Sequence, residues 1–295
     1  MLVDTHAHLD LEQFDADRDE VVQRARDAGV GLIINPGITV ESSRRIVELA
    51  ERYDEVYAAV GVHPCHADTF DDSSLPALRQ LAAHPKVVAI GEIGFDEITD
   101  AEEYAYRWQL EFALENDMVV MVHSPHRDKK RGIVRSIEIA QEIGLPMGKL
   151  VIDHNNEDTV EDTLQSGAWA AFTIYPDTKM DSERFVAVVE KYGPERIICD
   201  SPADRGIPTP LPVPEPAAPT AAPPLAADAT SLPTCPNALD ASPHSRPLHA
   251  PALPSDPETH PTQRLIANSL PRAQRPPPRP VRTRGDRAHA RPGGD

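Results

Sequence analysis

Two histidines separated by one residue, His6 and His8, stand within the first ten residues, Met1-Leu-Val-Asp4-Thr-His6-Ala-His8-Leu-Asp10. A short apolar opener runs straight into them. On a strand, positions i and i+2 share a face, so the two imidazoles are expected to project side by side. Neutral imidazole suits zinc and other first-row transition ions, and such a pair can form one edge of a metal site. For the pair alone, the alternative is one buried hydrogen-bonding histidine and one surface histidine. Ligands at the ends of later strands decide between these readings.

The elements that must position such ligands are legible as short apolar runs alternating with amphipathic stretches. Strands are expected at Leu2–His6, Gly31–Asn35, Val56–Val62, Val87–Glu92, Val119–His123, Leu150–His154, Ala168–Ile174 and Arg196–Asp200. Helical patterns fall between them, at about 17–28, 40–52, 74–83, 100–116, 130–143, 157–166 and 181–191. Asp27-Ala28-Gly29 closes the first and Asp181-Ser182 opens the last. This repetition predicts right-handed βαβ crossovers and a parallel sheet. Eight parallel strands suit a TIM (β/α)8-type barrel, whose active site lies at the C-terminal strand ends. An eighth helix is due after Asp200. Pro208-Thr-Pro210-Leu-Pro212-Val-Pro214 stands there instead and cannot be helical.

The strand ends collect the chemistry. The first carries His6 and His8, the third His63, the fourth Gly91-Glu92-Ile93-Gly94, the fifth His123, the sixth Asp153-His154 and the eighth Cys199-Asp200. Five of the eight histidines before residue 206 fall at this one rim. Asp200 ends an Arg-Ile-Ile-Cys run, where an unpaired buried carboxylate is costly and a metal ion removes the cost. His6, His8, Glu92, His123, His154 and Asp200 suffice for two divalent ions. A carboxylate such as Glu92 can bridge ions about 3.5–4 Å apart, the separation used in two-metal hydrolysis. Asp200 is then placed to accept the proton of the attacking water. The bland alternative is that some of these histidines are satisfied core groups.

Asp4-Thr-His6-Ala-His8-Leu-Asp10, Gly61-Val-His63-Pro64, Gly91-Glu92-Ile-Gly94, Val122-His123-Ser124 and Cys199-Asp200-Ser201-Pro202 resemble the TatD-type metal-dependent hydrolases of the amidohydrolase superfamily, in that family's order and approximate spacing. The resemblance covers about residues 1–205. It implies a TIM barrel with a two-metal site in which His6 and His8 bind one ion, His123 and His154 the other, and Glu92 bridges. It also implies that Asp200 binds metal and serves as general base, and that His63 lies close to the scissile group or its phosphate. Zn, Mn or Fe fit the four histidines and two carboxylates, and TatD-like enzymes commonly work with Mg as well. Two segments depart from the family pattern and mark a divergent branch. His123-Ser-Pro125-His126-Arg127 replaces a His-Ser-Arg sequence, and His154-Asn155-Asn156-Glu157 replaces a Cys/Phe-Ser-Gly type of loop.

Arg127-Asp128-Lys129-Lys130-Arg131 is the dense basic cluster of the first part. Arg127 and Lys130 are candidate phosphate contacts, the alternative being a solvated helix start. Trp108 and Trp169 read as packing residues, and Cys199 as core behind Asp200.

Bulk properties divide the 295 residues in two. Residues 1–205 carry 20 Lys+Arg, 40 Asp+Glu and all 14 aromatic residues; 206–295 carry 9 Arg, no Lys, 7 acids, 22 of the 31 prolines and no aromatic residue. The expected organisation is a hydrolase barrel over 1–205 and a disordered Pro/Arg-rich tail over 206–295. The tail offers Pro-x-x-Pro spacings such as Pro216–Pro219 for polyproline recognition. It also resembles out-of-frame translation of a GC-rich gene, with a shift near Gly206–Pro210 and loss of the last helix. The acidity of the first part argues against a broad nucleic-acid footprint. Cys65, Cys199 and Cys235 show no pairing or zinc-type spacing, consistent with a reducing compartment. No membrane-length apolar run occurs, and a strand beginning at residue 2 leaves no room for a signal peptide. A cytoplasmic enzyme without an obligate protein partner is expected. Three functions follow: phosphoester hydrolysis, including that of a deoxyribonuclease; hydrolysis of a C–N or ester bond in a small metabolite; or a truncated, inactive barrel.

Overall fold

The computed structural model describes residues 2–174 and 180–200. It contains eight strands: β1 Leu2–Asp4, β2 Val30–Pro36, β3 Val56–Val60, β4 Val87–Gly94, β5 Val119–His123, β6 Leu150–Ile152, β7 Trp169–Thr173 and β8 Ile197–Asp200. Seven helices lie between them: α1 Arg18–Asp27, α2 Val40–Arg52, α3 Ser74–Ala82, α4 Asp100–Glu115, α5 Lys129–Ile143, α6 Val160–Ser166 and α7 Ser182–Tyr192. The strands are parallel and neighbour one another in chain order, β1 to β8, as a nearly closed barrel. The expected tail and the segment where an eighth helix is due lie outside the described residues. Among the described residues, no helix is long and apolar enough to cross a membrane.

Alternation along the strands sorts side chains into two cores. Val3, Leu32, Ile34, Tyr57, Val88, Met121, Val151, Trp169, Ala171 and Ile198 pack together inside the barrel. Residues of opposite parity, such as Ile33, Val87, Val122, Ile152, Phe172 and Cys199, pack outward against helix residues including Ile46, Leu110, Ile137 and Phe185. Cys199 is thus core, as expected. The inward rows change character at their C-terminal ends: Val119-Met121 leads to His123, Val151 to Asp153, Trp169-Ala171 to Thr173, and Ile198 to Asp200. Polar groups therefore gather at one mouth of the barrel because an apolar interior fills everything below it.

Local signals set the helix starts. Thr39 and Thr99 open α2 and α4 with capping boxes, and Asp181 caps α7 through the Arg184 N–H. Such caps are worth about 1 kcal/mol each. Gly29, at φ +85°, follows the Ala28 end of α1.

Several expectations need correction. His6 and His154 lie just beyond their strands, not on them, because β1 and β6 end at Asp4 and Ile152, and β3 ends at Val60, short of its expected Val62, so His8 and His63 stand further out than expected. The chain must leave the ladder for these side chains to converge; His154 does so with φ +58°, a left-handed turn. The i, i+2 argument for His6 and His8 therefore gave the right proximity for a wrong reason. Trp169 is buried and donates to the Gly148 carbonyl at 2.9 Å. Trp108, in contrast, is 42% exposed beside Tyr104, also exposed, one turn earlier on the outer side of α4.

Candidate metal centre

Glu92 is the hub of the mouth. Its Oε1 lies 3.0 Å from His123 Nδ1 and 3.4 Å from His154 Nε2. Its Oε2 lies 3.5 Å from His6 Nε2, 3.9 Å from His8 Nε2 and 3.8 Å from His63 Nε2. Two flanking glycines permit this approach of β4 to β5. A Cβ on Gly91 would stand 2.6 Å from Met121 Cβ, and one on Gly94, at φ +133°, would stand 2.5 Å from the His123 carbonyl oxygen. Side chains here would hold the two strands apart.

The far ring nitrogens of His6 and His154 are hydrogen-bonded, whereas that of His123 lies at ion-pair distance from a carboxylate without a hydrogen bond. His6 Nδ1 meets Asp153 Oδ2 at 3.2 Å, His154 Nδ1 meets Thr173 Oγ1 at 2.7 Å, and His123 Nε2 stands 3.4 Å from Asp96 Oδ1. Each ring thus turns one nitrogen to an outer oxygen and the other to Glu92. Outer partners of this kind fix the orientation of metal-ligating imidazoles. Loops are pinned in turn. Asn35 accepts the Leu9 N–H at 2.5 Å and donates to Asp10 at 3.1 Å, steadying the turn after His8. Glu102 of α4 accepts the Asp96 and Glu97 N–H groups at 3.1 and 3.0 Å. Ser124 donates to the Asp153 carbonyl at 2.7 Å, just before the left-handed His154.

The electrostatics are those of mutually charged, buried groups. Burial opposes protonation of His6, yet Glu92 and Asp153 push it up to about 10. Burial likewise works against ionised Glu92, but the His6 and His123 charges hold it well below the usual range. Asp200 goes the other way: burial, then the charge of Asp153, pushes its carboxyl well up. Burial drives His63 down to about 3, so it is neutral.

These residues fit divalent cations. Among the described residues neither oxygen of buried Asp200 meets a hydrogen-bond donor, and the neighbouring Thr173 hydroxyl is engaged with His154. Among the described residues every ion pair of Glu92 is with a histidine. Two groups, His6–Glu92–His154 and His63–Glu92–His123, bring their ligand atoms within 4.8 Å of one another. Both share Glu92, the residue expected to bridge, although the histidines group differently from the expected pairs.

The candidate phosphate contacts fare unevenly. Arg127 and Lys130 are exposed, and the Lys130 ammonium faces Asp162 of α6 at 2.8 Å. The structure brings Lys129 inward instead, its Nζ donating to Ser124 Oγ at 3.1 Å. Sequence reasoning also passed over Asp96 and Thr173 as partners of the imidazoles. The spacing of Asp96 from Glu92, on the same strand-to-helix turn, was the available signal for the first.

The sequence profile of the TatD related DNase family matches residues 3–211. The chain belongs to that family. A similar TatD homologue of known structure, YjjV of Escherichia coli K12, is 29% identical with a TM-score of 0.58, over 67% of this chain and 77% of that one. The uncharacterized metal-dependent hydrolase YabD of Bacillus subtilis is 38% identical over 139 residues, 45% of this chain and 54% of that protein. The 3'-5' ssDNA/RNA exonuclease TatD of Cronobacter sakazakii is 40% identical over 127 residues, 41% of this chain and 48% of that one. The chain thus spans about half the length of these two TatD-family relatives.

Proposed function

We propose that this chain is a two-metal-dependent hydrolase of phosphoester bonds, acting on phosphodiesters such as those of a nucleic-acid strand. The observation that carries this reading is the shared Glu92 carboxylate, ringed by five imidazole nitrogens at 3.0–3.9 Å with Asp200 buried at the same mouth. The names of the TatD-family relatives support it.

His6, His8, Glu92, His123, His154 and Asp200 would hold the ions, with Glu92 common to both. When bound, Zn, Mn or Mg supplies Lewis acidity toward a phosphoryl oxygen and acidifies water. The chain does the rest. Asp200, facing inward at the end of β8, accepts a proton from the attacking water. Asp153, Asp96 and Thr173 keep the ligand imidazoles turned toward the hub. His63, neutral at the same mouth, contacts the phosphate, and Arg127 lies on the outer rim.

The test is metal analysis of the purified chain followed by a hydrolysis screen with Glu92→Ala as the inactive control. Phosphate release from phosphodiesters supports the proposal. Turnover confined to a lactone and amide panel would assign the site to C–N or ester bonds instead. Absence of any Mn²⁺- or Zn²⁺-dependent rise in Tm would favour an inactive, truncated barrel, since a formed site is stabilised by its ligand.

A further inference from the structure

The path of the chain into His63 is held by two side chains whose hydrogen bonds go to the backbone and to none of the six candidate ligands. β3 ends at Val60, and the next residues, Gly61 and Val62, turn their backbone groups toward helices. The Val62 N–H donates to Gln109 Oε1 at 2.7 Å, and Gln109 Nε2 donates back to the Val62 carbonyl at 3.2 Å. The Gln109 amide is completed by the Ala105 carbonyl at 3.1 Å within α4. From the other side Ser43 of α2 accepts the Gly61 N–H and donates to the Gly61 carbonyl, both at 3.2 Å. Gln109 and Ser43 are fully buried. The His63 N–H donates to the Ile38 carbonyl at 3.0 Å.

Beyond this clamp, the Cys65 backbone N–H donates to His63 Nδ1 at 3.1 Å. A ring nitrogen that accepts an N–H keeps its lone pair there, so the proton of the neutral imidazole sits on Nε2. That Nε2 is the atom facing Glu92 at 3.8 Å. His63 therefore offers the mouth a hydrogen-bond donor rather than a metal-binding lone pair, and its aim depends on how the Val62 peptide is held.

The geometry points to Gln109 as a positioning residue for His63, with Ser43 as its second point of support: Gln109 fixes the Val62 peptide so that His63 Nε2–H is directed across the carboxylate hub. In turnover its effect passes through His63. This inference rests on the hydrolase reading above, because it supposes a substrate oxygen for that donor to meet.

Gln109→Met keeps approximate size and removes both bonds to Val62. In the metal-loaded chain, with bis-p-nitrophenyl phosphate as substrate, kcat should fall about 10- to 100-fold, the range expected for a misplaced contact. Bound metal per chain should not change. In a His63→Ala background the same substitution should lower kcat by less than about twofold, since residues acting as one unit are non-additive. An equal loss in both backgrounds, or a loss of bound metal, overturns the proposal. If Gln109→Met does not fold, Ser43→Ala carries the same cycle. If the wild-type chain hydrolyses nothing, the hydrolase reading fails while the clamp is still decided by ¹⁵N-resolved spectra of the His63 ring. The wild type should show the Nε2–H tautomer and Gln109→Met a mixture; an unchanged ring spectrum overturns the proposal.

Discussion

His123 Nδ1 and Glu92 Oε1 meet at 3.0 Å across two strands that come this close because Gly91 and Gly94 carry no side chains. The contact joins the shared Glu92 carboxylate to one of its surrounding imidazoles without any intervening loop, so both ends are as rigid as the barrel. Rigid placement of this kind is what a metal site needs from its scaffold.

Glu92→Gln removes the one negative charge around which five imidazole nitrogens are arranged. Bound Mn²⁺ or Zn²⁺, measured by calorimetry, should weaken by roughly 100-fold or more, beyond the range typical of an outer-sphere change. Without the carboxylate, His6 loses the foremost influence raising its pKa. NMR titration should therefore place His6 of the metal-free variant clearly below His6 of the metal-free wild type.

Asp96 touches His123 from outside the hub, at 3.4 Å from Nε2. Asp96→Asn should lower metal affinity by about 10- to 100-fold while leaving the thermal unfolding of the metal-free chain nearly unchanged. A metal affinity equal to wild type would show that the carboxylate does not orient the ring. Glu102 reaches the same turn through the Asp96 and Glu97 N–H groups, so Glu102→Ala should weaken both metal binding and folding stability.

The metal-free protein should respond to pH through Asp200. Its folded pKa is raised well above the ordinary 3.8 by burial and by the charge of Asp153. A group raised on folding contributes stability that is fully present below its unfolded pKa and is lost as pH rises through the folded value. Asp200→Asn mimics the protonated acid at every pH. In EDTA, wild type and variant should therefore unfold at similar temperatures near pH 4, and the variant should gain on wild type as pH rises. Adding Mn²⁺ at neutral pH should stabilise the wild type and not the variant. A constant difference across pH would refute the raised pKa of Asp200.

How far these relationships were legible in the sequence depended on the range of the interaction. The barrel was readable because strand and helix periods are local, and seven helices emerged close to their expected bounds. The convergence of the histidines on Glu92 was readable because residues at the C-terminal strand ends share one mouth in a parallel barrel, wherever they lie in the chain. What stayed hidden was register and orientation. Nothing local in Val62 announces that Gln109, 47 residues later, will hold its peptide. The choice between Lys129 and Lys130 depends on which side of the first turn of α5 faces the barrel, and adjacent basic residues carry no signal of that. Trp108 was misjudged for a similar reason, since an aromatic residue on an amphipathic helix can fall on either face.

That choice between adjacent lysines yields a clean comparison. Lys129 Nζ donates to Ser124 Oγ at 3.1 Å, and Ser124 donates to the Asp153 carbonyl at 2.7 Å, next to the left-handed His154. Lys130 points the other way, 62% exposed, toward Asp162. An exposed pair of this type contributes little and is screened by salt. Lys130→Ala should therefore leave kcat/KM for a phosphodiester unchanged at low and high salt alike. Lys129→Ala should lower it about tenfold, because the Ser124 hydroxyl loses the cation that fixes its direction and the β6 turn loosens. Lys129→Arg keeps the charge with a different donor geometry and should fall between the two. If Lys130→Ala proves the more damaging substitution, the phosphate contact lies on the outer rim with Arg127, and the inward lysine is only a strut for the β6 turn.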